Sequence, residues 1–436
     1  MSAEPGSPAV HAPGRPRRPI GVGRAVITLI VLCVAATAVA TVWVGASPYD
    51  VVSTAYPGGG SAAFMAAVRT IAIISASITV GAAVFAVFFV GHSGDGLLGV
   101  RGYAATRLTA RAAAVWATAA FVMIFATSAD GAGMSIRAML SRKAFFDLYA
   151  AVEQPKSWTV AFVAAVVVAA ATRLSLRWMS VLATLGLSVP GSVAPGMVGN
   201  NGQGLGHDLA TNVLILHSAA AAVWLGVLVA AWSCLRSTGP GGTADEVLRR
   251  VRWFTVGAIV LLGGTGAGMT WLQIRDHGFS STYAALTLGQ VAATVLLAVL
   301  ALARARRAAR GAAGARSLLP DIALVLAAIA AAAITAHIPS PSLLHTATTA
   351  HEIYIGYDVP GPWTWSGLVT HWRVDTLWMT IAIVMVAGYL LAVRSLRHSG
   401  RAWPAYRTAL WTAGWLLVVL ATSSGVNTWS SAQFSM

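Results

Sequence analysis

The chain has 436 residues, of which 57% are hydrophobic and only 10% charged, and its mean hydropathy is +0.72; soluble domains carry about 25% charged residues. That balance excludes a soluble globular domain and predicts an all-α, polytopic transmembrane helical bundle. A formal net charge of +15 would suggest nucleic acid in a soluble chain, but here the basic residues fall in short clusters between apolar runs and read as topology signals, so no nucleic-acid partner is expected.

Residues 1–20 are rich in Pro, Gly, Ser and Arg with little to bury, which predicts a disordered tail. Arg15, Arg17, Arg18 and Arg24 then lead into an apolar run reaching Ala46, too long for a signal-peptide core of about 7–15 residues, so it reads as an uncleaved first span. A bilayer core of about 30 Å takes about 20 residues of helix. That ruler gives eleven candidate spans, near 22–46, 66–91, 106–127, 158–173, 178–198, 207–233, 253–274, 283–303, 319–337, 375–393 and 407–424. Only the stretch from Arg173 to Arg177 separates the fourth from the fifth. The outer loop between the third and fourth, Ser128 to Ser157, carries Asp130, Met134, Met139, Asp147 and Glu153 and an amphipathic stretch, Ile136 to Val152, suited to lying along the membrane surface. Pro190 and Pro195, beside Gly191 and Gly196, are expected to kink or end the fifth span.

The positive-inside rule tests this count, because one missed span would scramble every later loop. With the N-terminus in the cytoplasm, 22 of the 29 basic residues fall on inner segments; Arg69, Arg137, Arg142, Lys143, Lys156, Arg275 and Arg373 do not. A multi-pass protein of the plasma (inner) membrane, in direct contact with lipid, is the expectation. Cys33 and Cys234 then lie at different depths, which argues against a disulfide.

The sixth span is the stretch around which the chemistry is organised, since it carries His207 and Asp208 at its outer start and His217 inside. Ionisable groups within a span are costly and are functional candidates by default. His217 lies ten residues below His207, about 15 Å at 1.5 Å per residue and so near the midplane. The two rings differ by roughly 80° around the helix, while Asp208 points nearly opposite to His217. They cannot share an ion along one helix, so a ladder of two sites, or sites completed by other helices, is what the spacing permits. Two readings stand for His217: an imidazole hydrogen-bonded to a neighbouring helix, or a ligand or relay. For His207 the alternatives are a solvated loop residue and a ligand, and for Asp208 a helix cap is the simpler role. Trp224 shares the face of His217, which predicts that this face packs against other helices.

Downstream come Arg252-Trp253-Phe254, a helix with Gly263, Gly264, Gly266 and Gly268, then Tyr283 to Gln290, an Arg cluster at Arg304–Arg310, and a helix opening at Asp321 and closing at His337-Ile-Pro-Ser-Pro341. With His217-x6-Trp224-Leu-Gly226, this order over about residues 206–341, in a unit bounded at 201–341, resembles the CopD family of bacterial copper-resistance membrane proteins. It departs from that family's pattern at Gln290, where Lys is usual, and at Asp321, which replaces Glu. The resemblance implies copper as the cofactor or cargo. Cu(I) takes Met, Cys and His, and imidazole also suits Cu(II), so His207, His217, Met269 and His337 form a chemically adequate ligand set. Met269 and the glycines also read as ordinary packing residues.

Beyond Pro341 an outer segment carries His345, His351, Glu352, Tyr354, Tyr357, Asp358 and His371 among Trp363, Trp365, Trp372 and Trp378. It reads either as a store of metal ligands, with His345 and His351 foremost, or as an interfacial aromatic belt. Then Tyr357-Asp-Val-Pro-Gly-Pro-Trp, Trp372-Arg-Val-Asp375, Trp403-Pro-x-Tyr-Arg407, Leu410-Trp-Thr-Ala-Gly-Trp415 and Ala421-Thr-Ser-Ser-Gly425 follow. This run, over about residues 351–436 of a unit at 342–436, is similar to the opening of the CtaG family of cytochrome c oxidase assembly proteins. The resemblance implies a His- and Met-rich continuation after Met436, so a fragment or early-terminated product is expected; a CopD-like unit joined to a CtaG-like unit resembles an actinobacterial architecture. Residues 21–200 form a five-span region without such motifs.

No catalytic triad, phosphate loop or nucleotide motif is evident, so a transporter or chaperone rather than an enzyme is expected. The expected activity is uptake of copper from the outer face and its movement inward or delivery for oxidase assembly, with an extracytoplasmic copper chaperone or an oxidase subunit as partner. The competing classes are a haem b electron-transfer protein ligated by His217 and a second histidine, and a scaffold for oxidase assembly that binds no metal.

Overall fold

The computed structural model describes residues 23–51, 54–90, 96–198, 207–238, 242–274, 281–309, 315–338 and 403–423, with scattered positions between 364 and 397. Among them the chain is helical: α1 Arg24–Val44, α2 Ser47–Val51, α3 Gly59–Val84, α4 Val100–Asp130, α5 Ile136–Ser141, α6 Phe145–Ala151, α7 Glu153–Leu174, α8 Trp178–Met197, α9 His207–Thr238, α10 Gly242–Ile274, α11 Thr282–Ala309, α12 Leu319–Thr335 and α13 Ala405–Ser423. Eight of these helices are long and apolar enough to cross a membrane, and α12 is a shorter apolar helix. These nine match the first nine spans expected from the sequence, and α13 matches the eleventh. The tenth, 375–393, lies almost wholly outside the described residues.

Helices are the form these segments take because hydrocarbon offers backbone amides no water, and only a helix satisfies them within one segment. Hydroxyls in the spans follow the same logic by turning back on their own backbone: Thr37 Oγ1 donates to Cys33 O at 2.9 Å and Thr70 Oγ1 to Ala66 O at 2.8 Å. The fourth and fifth spans are indeed separate, broken at Ser175–Arg177, where Leu98 N donates to Leu176 O and Trp178 N to Gly96 O. These bonds tie the turn before α4 to the turn before α8. Phe85–Phe89 continues α3 as a π-turn, and the indole of Trp178 donates to the carbonyl of Val87 there at 3.2 Å. Helix α8 runs through Pro190 and ends at Met197, just past Pro195. The amphipathic loop between the third and fourth spans is two short helices, α5 and α6, with Phe145 stacked on Phe125 of α4 at 4.7 Å.

The centre of the bundle is α3, which packs against α1, α4, α8, α9 and α12. Of its most apolar stretch 78% is buried, against 50% for α9 and 6% for α11. The sequence directs attention to α9; packing puts α3 in the middle, with α9 laid against it. They cross where Gly81 meets Gly226, backbone on backbone. Alternating helix direction gives the bundle an arginine-rich end, with Arg101, Arg177 and Arg236, and an opposite end where α1, α4 and α12 finish and α3 begins. Cys33 and Cys234 are free thiols, both buried; Cys33 Sγ donates to Leu326 O at 3.2 Å and joins α1 to α12.

Candidate functional site

Helix α9 presents His217 to α10. Its Nδ1 lies 2.9 Å from the hydroxyl of Thr265, and seven residues on, the indole of Trp224 donates to Thr255 Oγ1 at 3.3 Å. The shared face of His217 and Trp224 therefore packs on one antiparallel neighbour, as the spacing predicts. Gly266 completes the seat: a Cβ there would sit 3.3 Å from Cε1 of His217. Of the other glycines in this run, Gly263 approaches only Thr294 and Gly264 and Gly268 meet nothing within 4 Å, so Gly266 is the one that borders the histidine.

The remaining predicted ligands divide by position. Met269 lies on α10 one turn beyond Thr265 and is half-buried. His207 opens α9, with Asp208 in its first turn; their side chains lie outside the described residues, as do His345 and His351 altogether. Helices α9 and α12 are neighbours, as a meeting of His207 with His337 requires. Among the described residues no three His, Cys, Asp or Glu side chains are placed to hold one ion together. Gln290 reaches across from α11, its Nε2 donating to Thr335 Oγ1 of α12 at 3.5 Å.

His337 stands in surroundings the sequence does not announce. It lines a small cavity of about 10 Å³, the room of one water, with Thr41, Val44, Gly45, Pro48, Tyr49 and Ile334. Its Nε2 is buried without a partner, as is Nε of Arg69 on α3. Arg69 is near enough to Asp130, Tyr49 and His337 for its charge to act on each, and the Tyr49 hydroxyl donates to Asp130 Oδ1 at 2.7 Å. Four helices thus converge at this end on an arginine, a carboxylate, a phenol and an imidazole. The available signal was the rarity of an arginine inside an apolar span; in the positive-inside tally Arg69 passes as one stray cation.

Burial, and then the Asp130 carboxylate, push the Tyr49 phenol well above its ordinary range, so it remains a donor. Burial, and then the Arg69 charge, lower His337 from 6.5 to about 3. The folded chain therefore holds this imidazole neutral in acid that would protonate it in the unfolded chain. The unfolded state binds the extra proton between those two values, so stability falls as pH drops through about 6.5 towards about 3. Against the parent, His337→Gln is expected to lose less stability across that window, as thermal unfolding of the purified protein at stepped pH will measure.

The fold is that of a polytopic helical membrane protein with a histidine seated inside it and a buried polar cluster at one end. Residues 387–436 match the family described as cytochrome c oxidase caa3 assembly factor. Uncharacterized proteins of Mycobacterium bovis and Mycobacterium tuberculosis are each 30% identical over 399 residues, which cover 90% of this chain and 58% of theirs. One of Mycobacterium leprae is 27% identical over 371 residues, 84% of this chain and 54% of its own. The chain thus spans just over half the length of the curated relatives it matches. No solved structure matches it.

Proposed function

We propose that the chain acts in cytochrome c oxidase assembly as an integral-membrane copper carrier, taking the ion at the end away from its arginine clusters and passing it inward or to the oxidase. The match of residues 387–436 to the caa3 assembly factors carries the assembly role. The copper step rests on the seat of His217, an imidazole inside a span and held by a neighbouring helix. By the positive-inside rule the arginine-rich end faces the cytoplasm, so His207 receives the ion at the outer mouth and His217 holds it deeper. Ligands from other helices or from the outer segment, where His345 and His351 lie, complete each site. Binding and transfer exchange only coordination bonds and call for no covalent catalysis, so the proposed role is that of a carrier rather than an enzyme.

The test is copper content. The purified chain, loaded under reducing conditions and desalted, is expected to retain about one copper per His217 site by metal analysis, and the His207→Ala/His217→Ala pair to retain far less. In cells the pair is expected to lower both copper accumulation and oxidase activity. Equal copper in parent and double variant sinks the carrier reading, and a visible haem band in the purified protein replaces it with electron transfer.

A further inference from the structure

We infer that Thr265 selects the nitrogen through which His217 holds its ion: Thr265 Oγ1 accepts a hydrogen bond from Nδ1–H, and Nε2 is left as the ligating atom. This rests on the copper reading above and deepens it. A threonine hydroxyl has one hydrogen, and that of Thr265 has a better claimant than the ring, because Oγ1 lies 2.7 Å from the carbonyl of Leu261, one turn back on its own helix. A carbonyl oxygen only accepts. With its hydrogen committed there, Oγ1 faces Nδ1 of His217 at 2.9 Å as an acceptor, so Nδ1 carries the ring proton and Nε2 the lone pair.

Two further features hold the ring in that register. The Trp224–Thr255 bond fixes α9 against α10 two turns away, and Gly266 leaves room for Cε1, which an added Cβ would approach to 3.3 Å. A ring fixed by a bond at one nitrogen is how proteins commonly present the other to a metal, and loss of such a partner typically costs about 10–100-fold in affinity. Thr265 is thus a positioning residue. It touches no ion, and its oxygen both orients the imidazole and makes the opposite nitrogen more basic. Within hydrocarbon this matters doubly, because a ring free to change tautomer would have to find a new partner for its displaced proton before binding.

Nitrogen NMR of the metal-free full chain carrying ¹⁵N-histidine, with the His217 signals found by difference against His217→Ala, reads the tautomer directly. A pyrrole-type Nδ1 and a pyridine-type Nε2 are expected, and the reverse assignment overturns the inference. Cu(I) affinity, measured by competition with a chromogenic chelator, is expected to fall about 10–100-fold in Thr265→Val and to return in Thr265→Ser, which keeps the oxygen. A merely structural threonine would leave affinity in Thr265→Val at the parent value. That result, with His217→Ala still losing copper, defeats this inference alone, whereas unchanged copper in His217→Ala defeats the carrier reading beneath it. Should Thr265→Val not fold, the spectrum of the parent decides.

Discussion

Gly226→Ala is expected to destabilise this bundle markedly. The new Cβ would lie 2.1 Å from the carbonyl oxygen of Ser77 and 2.7 Å from Cα of Gly81. These are backbone atoms of α3, with no rotamer to give way, so α3 and α9 must separate. From the other side, a Cβ on Gly81 would meet Gly226 Cα at 2.4 Å and Val223 O at 2.5 Å. Small residues at a crossing let helices in lipid approach closely enough for dispersion to hold them, where water supplies no hydrophobic drive. Overpacking costs about 1–3 kcal/mol where side chains adjust, and a backbone clash between two central helices belongs at or above the top of that range. Gly257→Ala is the control, since a Cβ there meets nothing within 4 Å and alanine favours the helix by up to about 1 kcal/mol. Thermal unfolding in detergent is expected to show a clear drop for the first and none for the second. Equal midpoints contradict the close crossing.

The spans were legible because length and hydropathy report on the bilayer, which imposes the same demand on every crossing segment. Eight long helices and α12 stand where composition put them, and even the short break before Trp178 was visible as arginines between apolar runs. Which span lies at the centre was not legible. In a soluble helix the buried face is apolar and the rest polar, but in lipid both faces are apolar, so α3, mostly buried, and α11, with few fully buried residues, read alike. The clearer sign was small size rather than hydropathy: Gly81 and Gly226 mark the crossing, while the denser glycines of α10 drew the eye.

The sites divide the same way. His217 stands out in the sequence because a histidine in hydrocarbon is conspicuous, and the face it shares with Trp224 follows from helical spacing. Its partner Thr265 lies 48 residues away, and nothing local distinguishes that threonine from the others in the spans. His337 was identified as a candidate ligand from its place at a helix end; its neighbours Arg69, Asp130 and Tyr49 come from three other helices. Only packing assembles such a group.

That group yields the second large effect: Asp130→Leu is expected to destabilise the chain markedly, and Arg69→Leu with Asp130→Leu to recover part of the loss. Alone, Asp130→Leu strips Arg69 of the negative charge nearest it while Nε stays buried without a partner, and it leaves the Tyr49 hydroxyl with no acceptor in place of a 2.7 Å bond. Removing one partner of a fully buried pair costs about 3–5 kcal/mol because the other charge stays behind. Arg69 is only half-buried along its length, so about 1–3 kcal/mol is the expectation for its share. Taking both charges away removes the cause, and the double-mutant cycle is expected to show a favourable coupling of about 0.5–3 kcal/mol. Tyr49→Phe separates the two contributions, since it deletes the hydroxyl and keeps both charges. If the leucine substitutions simply add, Arg69 and Asp130 do not act on each other, and α2 is held to α4 by the tyrosine bond alone. If they couple, the charges of Arg69 and Asp130 act on each other, and this end of the bundle is held by charge as well as by the tyrosine bond.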